Sequence, residues 1–494
     1  MKKNNIYRLI TGFLSGALLT LAFSPYDFWI IGFVSPAILF RLWHRTRPVE
    51  AFYLGYIYGL GMFGVGVNWL HISINMFGGV NLVGSYIITY ALVTFLALYP
   101  AFVGFISRKY FSRNETLFLL LIVPALWAFT EWCRSWIFTG FPWLNLGYTQ
   151  TDTWLAGFAP VFGVYGISWL TALIAALIAC VFIAGKKQKI LACVAIFFIT
   201  IVSFPISKIQ WTTPDNKTRN VVLVQAAIPQ ELKWKPESLE RTIDLYTGLS
   251  QPYWDSDLII WPETAIPLLF SQAKPLIEAL QQQAMIHQTD MLTGIPERDE
   301  ETHQYFNTII SIGTQPDMYK KRHLVPFGEY LPLDQWIRPV LDLMGIPMSS
   351  FSSGSGKPIL YAAGIPIGVS ICYEDVFGEE VIDALPEARL LVNVSNDAWF
   401  GDSLAPHQHL QMARMRALET GRYLLRATNT GISAIIDEKG RITGESPQFQ
   451  PDALHRTIKT FSGSTPYSLY GNYVIVIMSI LVLVVCFVLN RKKI

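Results

Sequence analysis

Hydrophobic residues fall into two different rhythms along the chain. In the first 206 positions they come as long, nearly unbroken runs. Ile10–Phe23 is apolar or small and lies in a charge-free stretch between Arg8 and Asp27. Further runs are Phe28–Leu42, Ala51–Leu70, Ser85–Ile106, Leu117–Trp132, Val161–Ala184 and Ile190–Ile206, and an eighth, Tyr473–Leu489, comes near the end. A helix crosses a bilayer core with about 20 apolar residues, so the pattern predicts eight membrane spans. The second run is short, with Asp27 and Arg41 on either side, and the fifth carries Glu131 near its end. The first has the basic start of a signal peptide, but Pro25 directly after Ala22-Phe23-Ser24 disfavours cleavage, and it reads as a retained helix.

From Asn220 the rhythm shortens. Val221–Gln225, Leu258–Trp261, Met291–Ile295, Phe306–Ile312, Pro366–Cys372 and Leu390–Val394 are β-rich runs. Between and after them, Glu237–Ser250, Gln272–Gln288 and Pro406–Gly421 have helical spacing of apolar positions. Arg422–Ile442 reads as strands about a turn at Asp437-Glu438-Lys439-Gly440. Such alternation predicts one α/β domain of stacked sheets with outer helices. The expected division is 1–210 as a seven-helix membrane domain, 218–462 as the α/β domain, and 473–490 as a last helix.

Composition agrees with this division. Of 494 residues 52% are hydrophobic and 15% charged, against about 25% charged in ordinary soluble proteins. A net charge of +2 argues neither for nor against nucleic acid. The placement of the cations says more. Lys2, Lys3, Arg41, Arg45, Arg47, Arg108, Lys109, Arg113, Lys186, Lys187, Lys189, Arg491, Lys492 and Lys493 fall on alternate sides of the runs, whereas the loops 24–27 and 71–84 have none and 133–160 only Arg134. By the positive-inside rule both termini are cytoplasmic and the α/β domain is on the outer face.

Of the five cysteines, Cys180, Cys193 and Cys486 lie within apolar runs and Cys133 at the end of one, where cysteine acts as a small hydrophobe. Cys372, at the end of Gly368-Val-Ser-Ile-Cys-Tyr-Glu374, is the α/β domain's lone thiol and reads equally as filler or nucleophile. A cysteine nucleophile needs a base and donors for an oxyanion. His323 is the only plausible histidine partner, since His407 and His409 sit two apart and do not share a helix face. Glu263, closing Leu258-Ile-Ile-Trp-Pro-Glu-Thr264, and Lys321, in Tyr319-Lys-Lys-Arg-His-Leu-Val-Pro-Phe-Gly-Glu-Tyr330, are better candidates, although each alone reads first as a solvated charge. No H-E-x-x-H or C-x-x-C supports a metal site. Glu131 and Arg134 read as a pair at a helix end. The aromatic segment Trp136–Tyr148 reads as an interfacial belt or an acyl-chain contact, and Phe351–Lys357 as a mobile loop by the cysteine strand.

The order Glu263, Lys321, Cys372 at strand ends resembles the nitrilase superfamily, in which these residue types form a triad. With the apolar runs, the whole length resembles the apolipoprotein N-acyltransferase family. The motifs are Ile228-Pro-Gln-Glu-Leu-Lys-Trp234, Trp261-Pro-Glu-Thr264, Lys321–Pro332, Ile371-Cys-Tyr-Glu374 and Asn393–Gly401, with Phe23–Trp29 and Thr139–Leu144 in the membrane part. The resemblance implies an α-β-β-α sandwich beside a polytopic helical domain of about eight spans. It implies Glu263 as base, Lys321 as oxyanion donor and Cys372 as nucleophile, with the backbone N–H of Tyr373 as a second donor. Glu329 would support the lysine; Tyr373, Glu374 and Trp234 would shape the pocket, with Trp143 and Phe141 meeting acyl chains. The implied partners are a phospholipid acyl donor, a diacylglyceryl-modified apolipoprotein and the bilayer of a bacterial inner membrane. No cofactor, metal or nucleic acid is implied. Alternatives are a membrane-tethered amidase with the same triad, a non-catalytic lipoprotein-binding scaffold, and a transporter, which few intramembrane charges and no repeat support.

Overall fold

The computed structural model describes residues 3–111, 115–183, 185–332, 334, 335, 338 and 350–491. Lys2, Arg113, Lys492 and Lys493, four of the cations in the topology argument, lie outside the described residues. The chain forms two compact units. One is Met1–His71, Asn81–Gln210 and Tyr470–Ile494; the other is Ile72–Val80 and Trp211–Leu469.

In the first unit the described residues of each apolar run are mostly helical. Asn5–Ala22, Leu82–Phe111, Trp154–Ile183 and Lys186–Ile206 are long and apolar enough to cross a membrane. Pro48–Gly66 and Leu70–Met76 make a fifth if taken together, bent by 55°. Ile31–Trp43 and Tyr473–Leu489 are apolar but shorter. The run Leu117–Trp132 is broken. A helical turn at Glu115–Leu117 passes into a π turn at Phe118–Ile122 and then into Val123–Arg134, with Pro124, which has no N–H to give the preceding turn, just after the junction. Small residues let these helices approach closely: a Cβ added to Gly61 would lie 2.2 Å from the Phe13 carbonyl oxygen. Lys186–Ile206 leaves Val194, Phe197, Phe198, Ile201 and Phe204 exposed, a surface suited to lipid rather than water.

The second unit is a sandwich of two six-stranded sheets. The first has the order β12 (Asp452–Ser462), β1 (Thr213–Gln225), β2 (Leu258–Ile260), β3 (Asp290–Arg298), β4 (Tyr305–Ile312), β5 (Asp317–Lys320). The second has the order β11 (Ile442–Glu445), β10 (Ala434–Ile436), β9 (Leu424–Thr428), β8 (Leu390–Ser395), β7 (Ile365–Ile371), β6 (Ile359–Ala362). Three parallel strands form the middle of each, β1-β2-β3 and β7-β8-β9, and antiparallel strands flank them. Val221, Leu223, Leu258, Ile260, Leu292 and Ile309 of one sheet interdigitate with Ile367, Val369, Ile371, Val392, Leu425 and Ile435 of the other. Helices Pro236–Ser250 and Lys274–His287 cover the outside of the first sheet through Tyr246, Leu280 and Ala284. Leu404–Thr420 covers the second through Leu410, Ala413 and Ala417. The layers are therefore α-β-β-α. The predicted turn at 437–440 joins β10 to β11, with Gly440 at φ +70° and its N–H on the Asp437 carbonyl at 2.9 Å.

Candidate active site

Parallel strands leave their carboxyl ends on one side, where α/β proteins gather their ligands. Glu263 follows β2, Cys372 follows β7, and Lys321 follows the edge strand β5. Thr264, at φ +50°, and Cys372, at φ +51°, take left-handed backbone conformations that residues with a Cβ adopt only at a cost of about 1–2 kcal/mol. The surroundings of Cys372 hold it there. Asn393 on β8 donates its Nδ2 to the Cys372 carbonyl at 3.2 Å and to Ser370 Oγ at 3.0 Å. Glu374 accepts from the N–H of Ile371 at 2.7 Å.

Around the thiol the polar groups form a continuous chain. Asn307 on β4 donates to Glu263 Oε1 at 2.7 Å and to Glu329 Oε1 at 3.1 Å, so one amide bridges both carboxylates. Lys321 Nζ meets the two oxygens of Glu329 at 2.9 and 2.8 Å. The Glu329 carboxylate also accepts from the Val325 N–H at 2.8 Å, tying the lysine loop into a closed turn. Lys233 Nζ donates to the main-chain oxygen of Glu263 at 3.0 Å. Glu374 accepts from Tyr319 Oη at 2.8 Å and from the N–H groups of Arg322 and His323 at 2.6 and 3.1 Å. It thereby fastens the residues after Lys321 to the turn that carries Cys372.

These groups shift one another's protonation. Burial raises the Glu263 carboxyl above the ordinary range, with Lys321 opposing and Glu329 adding to the rise. Burial pushes the Cys372 thiol up as well, and the Glu263 charge reinforces it, while Lys321 and a hydrogen bond from Ser395 pull the other way. Burial works against the Lys321 ammonium, but Glu329 and Glu263 outweigh it and raise its pKa. The resting thiol is thus neutral, beside a carboxylate more basic than usual and an ammonium that stays charged.

Behind Cys372 lies a second buried cluster. Arg426 on β9 donates to Asn393 Oδ1 at 2.7 Å, to Asp375 Oδ2 at 3.2 Å and to Asp397 Oδ2 at 2.9 Å. His409 Nε2 meets Asp375 Oδ1 at 2.7 Å. This arginine positions the asparagine that holds the cysteine.

The structure therefore brings Glu263, Lys321, Glu329, Cys372 and Glu374 together. Tyr373 is buried and packs edge-on against His323 and Phe377, with ring centroids 5.6 and 5.0 Å apart. The His323 ring stacks on Phe377 at 3.9 Å and its Nδ1 meets Glu380 at 2.6 Å. Trp234 is exposed, one residue after Lys233. Phe141 and Trp143 belong to the helical unit, stacked on each other at 5.2 Å, with Trp143 buried while Trp136 and Phe138 are exposed. Glu131 and Arg134 turn to the loop that carries Trp143: Glu131 accepts the Leu146 N–H at 2.9 Å, and Arg134 donates to the Trp143 carbonyl and to Asn145 Oδ1. The Phe351–Lys357 segment is anchored, with Phe351, Ser352 and Gly354 N–H groups on the Glu329, Tyr305 and Lys321 carbonyls. Among the described residues, no three His, Cys, Asp or Glu side chains converge to hold a metal. Sequence reasoning passed over Lys233, Asn307 and Arg426. The signal available was polarity in apolar company, as with Asn307 ahead of Thr308-Ile-Ile on β4 and Arg426 within Leu424-Leu-Arg-Ala-Thr428.

The chain matches two families with this architecture: the apolipoprotein N-acyltransferase N-terminal domain over residues 15–177 and the carbon-nitrogen hydrolases over 220–465. A curated apolipoprotein N-acyltransferase of Methylococcus capsulatus is 42% identical over 487 residues, 98% of this chain and 97% of that one. Another, of Nitrosomonas europaea, is 44% identical over 474 residues, 95% of each chain. Among solved structures, Nit3 of Saccharomyces cerevisiae, a member of branch 10 of the nitrilase superfamily, is 18% identical with a TM-score of 0.38 over 49% of this chain and 90% of that one. By identity over nearly its whole length to these curated relatives, the chain belongs to the apolipoprotein N-acyltransferase family.

Proposed function

We propose that this protein moves an acyl chain from a phospholipid to the α-amine of the S-diacylglyceryl-cysteine that begins an apolipoprotein, through a thioester on Cys372. Family membership carries the acyl transfer. The observation that carries the assignment of residues is the group at the strand ends, where a carboxylate made more basic by burial and a charged lysine lie close enough to a neutral thiol to shift its protonation.

In the first half-reaction the Cys372 sulfur attacks the ester carbonyl carbon of the phospholipid. Because burial keeps the resting thiol protonated, its proton passes to Glu263 as the carbon–sulfur bond forms, rather than before. The carbonyl oxygen becomes an oxyanion opposite the Lys321 ammonium, which Glu329 keeps charged and aimed. Collapse breaks the carbon–oxygen ester bond. The leaving lysophospholipid alkoxide takes the proton from Glu263, leaving the thioester. In the second half-reaction the α-amine attacks the thioester carbon, Glu263 accepts a proton from the nitrogen, and the departing sulfur is reprotonated as the amide forms. Tyr373, Glu374 and Trp234 border the reaction site, and Phe141 and Trp143 border the path of acyl chains.

We further propose the topology: residues 1–210 as seven spans, 473–490 as the eighth, both termini in the cytoplasm, and 218–462 as a catalytic domain on the periplasmic face of a bacterial inner membrane. Alternating cations in the short loops support it. Both substrates are anchored in lipid, so a catalytic domain tied to the same bilayer meets them without extracting either. The thioester must also be screened from water, or hydrolysis would waste it.

Intact-mass spectrometry of the purified protein with one defined phospholipid, wild type against Cys372→Ser, tests the chemistry. The wild type is expected to gain one acyl mass that hydroxylamine removes and that a diacylglyceryl-cysteine peptide accepts as an amide; the serine variant gains no such labile adduct. An adduct that only water discharges would instead make the protein a hydrolase. No adduct with any phospholipid would end the acyl-enzyme mechanism.

A further inference from the structure

The mechanism above uses one lysine, but the site holds two. Lys233 closes a short helical turn, Gln230–Lys233, after β1 and is 4% exposed. Its Nζ donates to the main-chain oxygen of Glu263 at 3.0 Å, on the residue whose side chain is the base. Burying an ammonium is costly unless its charge is used. A neutral donor would cap that carbonyl at much lower cost, so the hydrogen bond alone does not account for a lysine here.

The charges around it do. Glu263 and Glu329 carry two negative charges, Asn307 that joins them is neutral, and Lys321 supplies one positive charge, already engaged by both oxygens of Glu329. Without another cation the carboxyl groups here outnumber the one lysine, just where attack by the thiol adds electron density to the substrate oxygen. Lys233 adds a second cation against them. Glu263 and Cys372 are the groups that favour its charge, while burial lowers its pKa to about 8, so it remains mostly protonated at neutral pH. Cys372 is also influenced by Lys321, Asp397, Arg426 and Tyr373, and Glu263 by Lys321 and Glu329; none of these changes when Lys233 is replaced.

We propose that Lys233 is the second cation of the reaction site, a positioning residue that fixes the main chain of Glu263 and stabilises the negative charge shared by Glu263, the Cys372 sulfur and the substrate oxygen. The inference rests on the assignment of Glu263, Lys321 and Cys372 made above.

The test is the rate of alkylation of Cys372 by iodoacetamide as a function of pH, followed on the Cys372 peptide by mass spectrometry in the full-length protein in detergent. Lys233→Gln keeps a donor for the Glu263 carbonyl but not the charge; Lys233→Arg keeps the charge. The Gln variant is expected to react about tenfold more slowly near neutral pH, its inflection displaced upward by about one unit. The Arg variant is expected to stay within about threefold of wild type. Thermal unfolding of the same samples separates folding from charge. A Gln variant with the wild-type profile would overturn the inference, whatever its unfolding temperature. So would equal slowing by Gln and Arg. A wild-type Cys372 that shows no pH-dependent alkylation would remove the nucleophile assignment itself, and this inference with it.

Discussion

In its proposed role as base Glu263 has to be charged to accept a proton, yet it is buried, which disfavours charge. The conflict is resolved by Lys321 and by the Asn307 amide, which keep the carboxylate available while leaving it more basic than a carboxylate in water. The sign of the pH dependence follows. A general base works only when deprotonated, so acylation of Cys372 should fall as pH drops through the raised pKa of Glu263. That acid limb should lie above the ordinary carboxyl value of about 4.3. Single-turnover acylation measured across pH should show this limb in the wild type. Glu263→Gln should lack it and be slower at neutral pH by about 10²–10⁴-fold, the usual worth of a positioned base; a limb that survives the substitution would assign it elsewhere. Asn307→Leu tests the bridge. With its amide gone the two carboxylates face each other unbridged, the Glu263 pKa rises further, and the acid limb should move to higher pH with the unfolding temperature little changed.

The turns that carry these side chains are precise because neighbouring strands leave no slack. On β3, Gly294 lies directly under the Trp261-Pro-Glu-Thr264 turn: a Cβ there would stand 2.3 Å from the Thr264 nitrogen and 2.7 Å from the Glu263 Cα. Gly294→Ala must therefore lift the turn. Acylation is expected to drop about 10²-fold, the scale of a 1 Å misplacement, with a smaller effect on folding, read by kinetics and thermal unfolding together. The cluster under Cys372 should behave in the opposite way. Burial would raise the Asp397 carboxyl, but Arg426 and His409 more than reverse it and hold it well below the usual range. A depressed pKa contributes stability that is complete above the unfolded value of about 3.9 and is lost as pH falls below it. Asp397→Asn should thus cost about 3 kcal/mol at neutral pH, and the difference from wild type should shrink in acid; a constant difference down to pH 3 would place the stabilisation elsewhere. These elements also mark what the sequence makes legible. Val221–Gln225, Leu258–Trp261 and Leu390–Val394 announce themselves as strands because both of their faces are buried. β12 does not: its solvent-facing positions Arg456 and Lys459 interrupt the apolar rhythm, and it forms because β1 offers it a long antiparallel edge. Glu263, Lys321 and Cys372 are legible through their motifs. Asn307, Lys233 and Arg426 are not, because their partners stand on other strands of the same sheet, or on the turns after them, far away in sequence.

At the scale of the whole molecule the question is why a hydrolase-like sandwich is fused to so much apolar helix. An acyl chain leaves a bilayer only at the free-energy cost of wetting it, about 0.8 kcal/mol per methylene. An enzyme that keeps its thioester at the membrane surface avoids that cost in both half-reactions. In the proposed topology the catalytic domain lies on the same face as its acceptor, the outer face by the positive-inside rule. Glu300, in an exposed turn between β3 and β4, and Gln188, exposed at the start of Lys186–Ile206, then belong on opposite sides of the membrane. In a background with the five native cysteines replaced by alanine, a membrane-impermeant maleimide should label Glu300→Cys in spheroplasts. Gln188→Cys should be labelled only after the membrane is permeabilised. The reverse pattern would turn the molecule over and put Cys372 in the cytoplasm, away from the acceptor. Labelling of both sites in sealed spheroplasts would mean an even number of crossings between them, and Lys186–Ile206, the helix that separates them in the chain, would then not be a span.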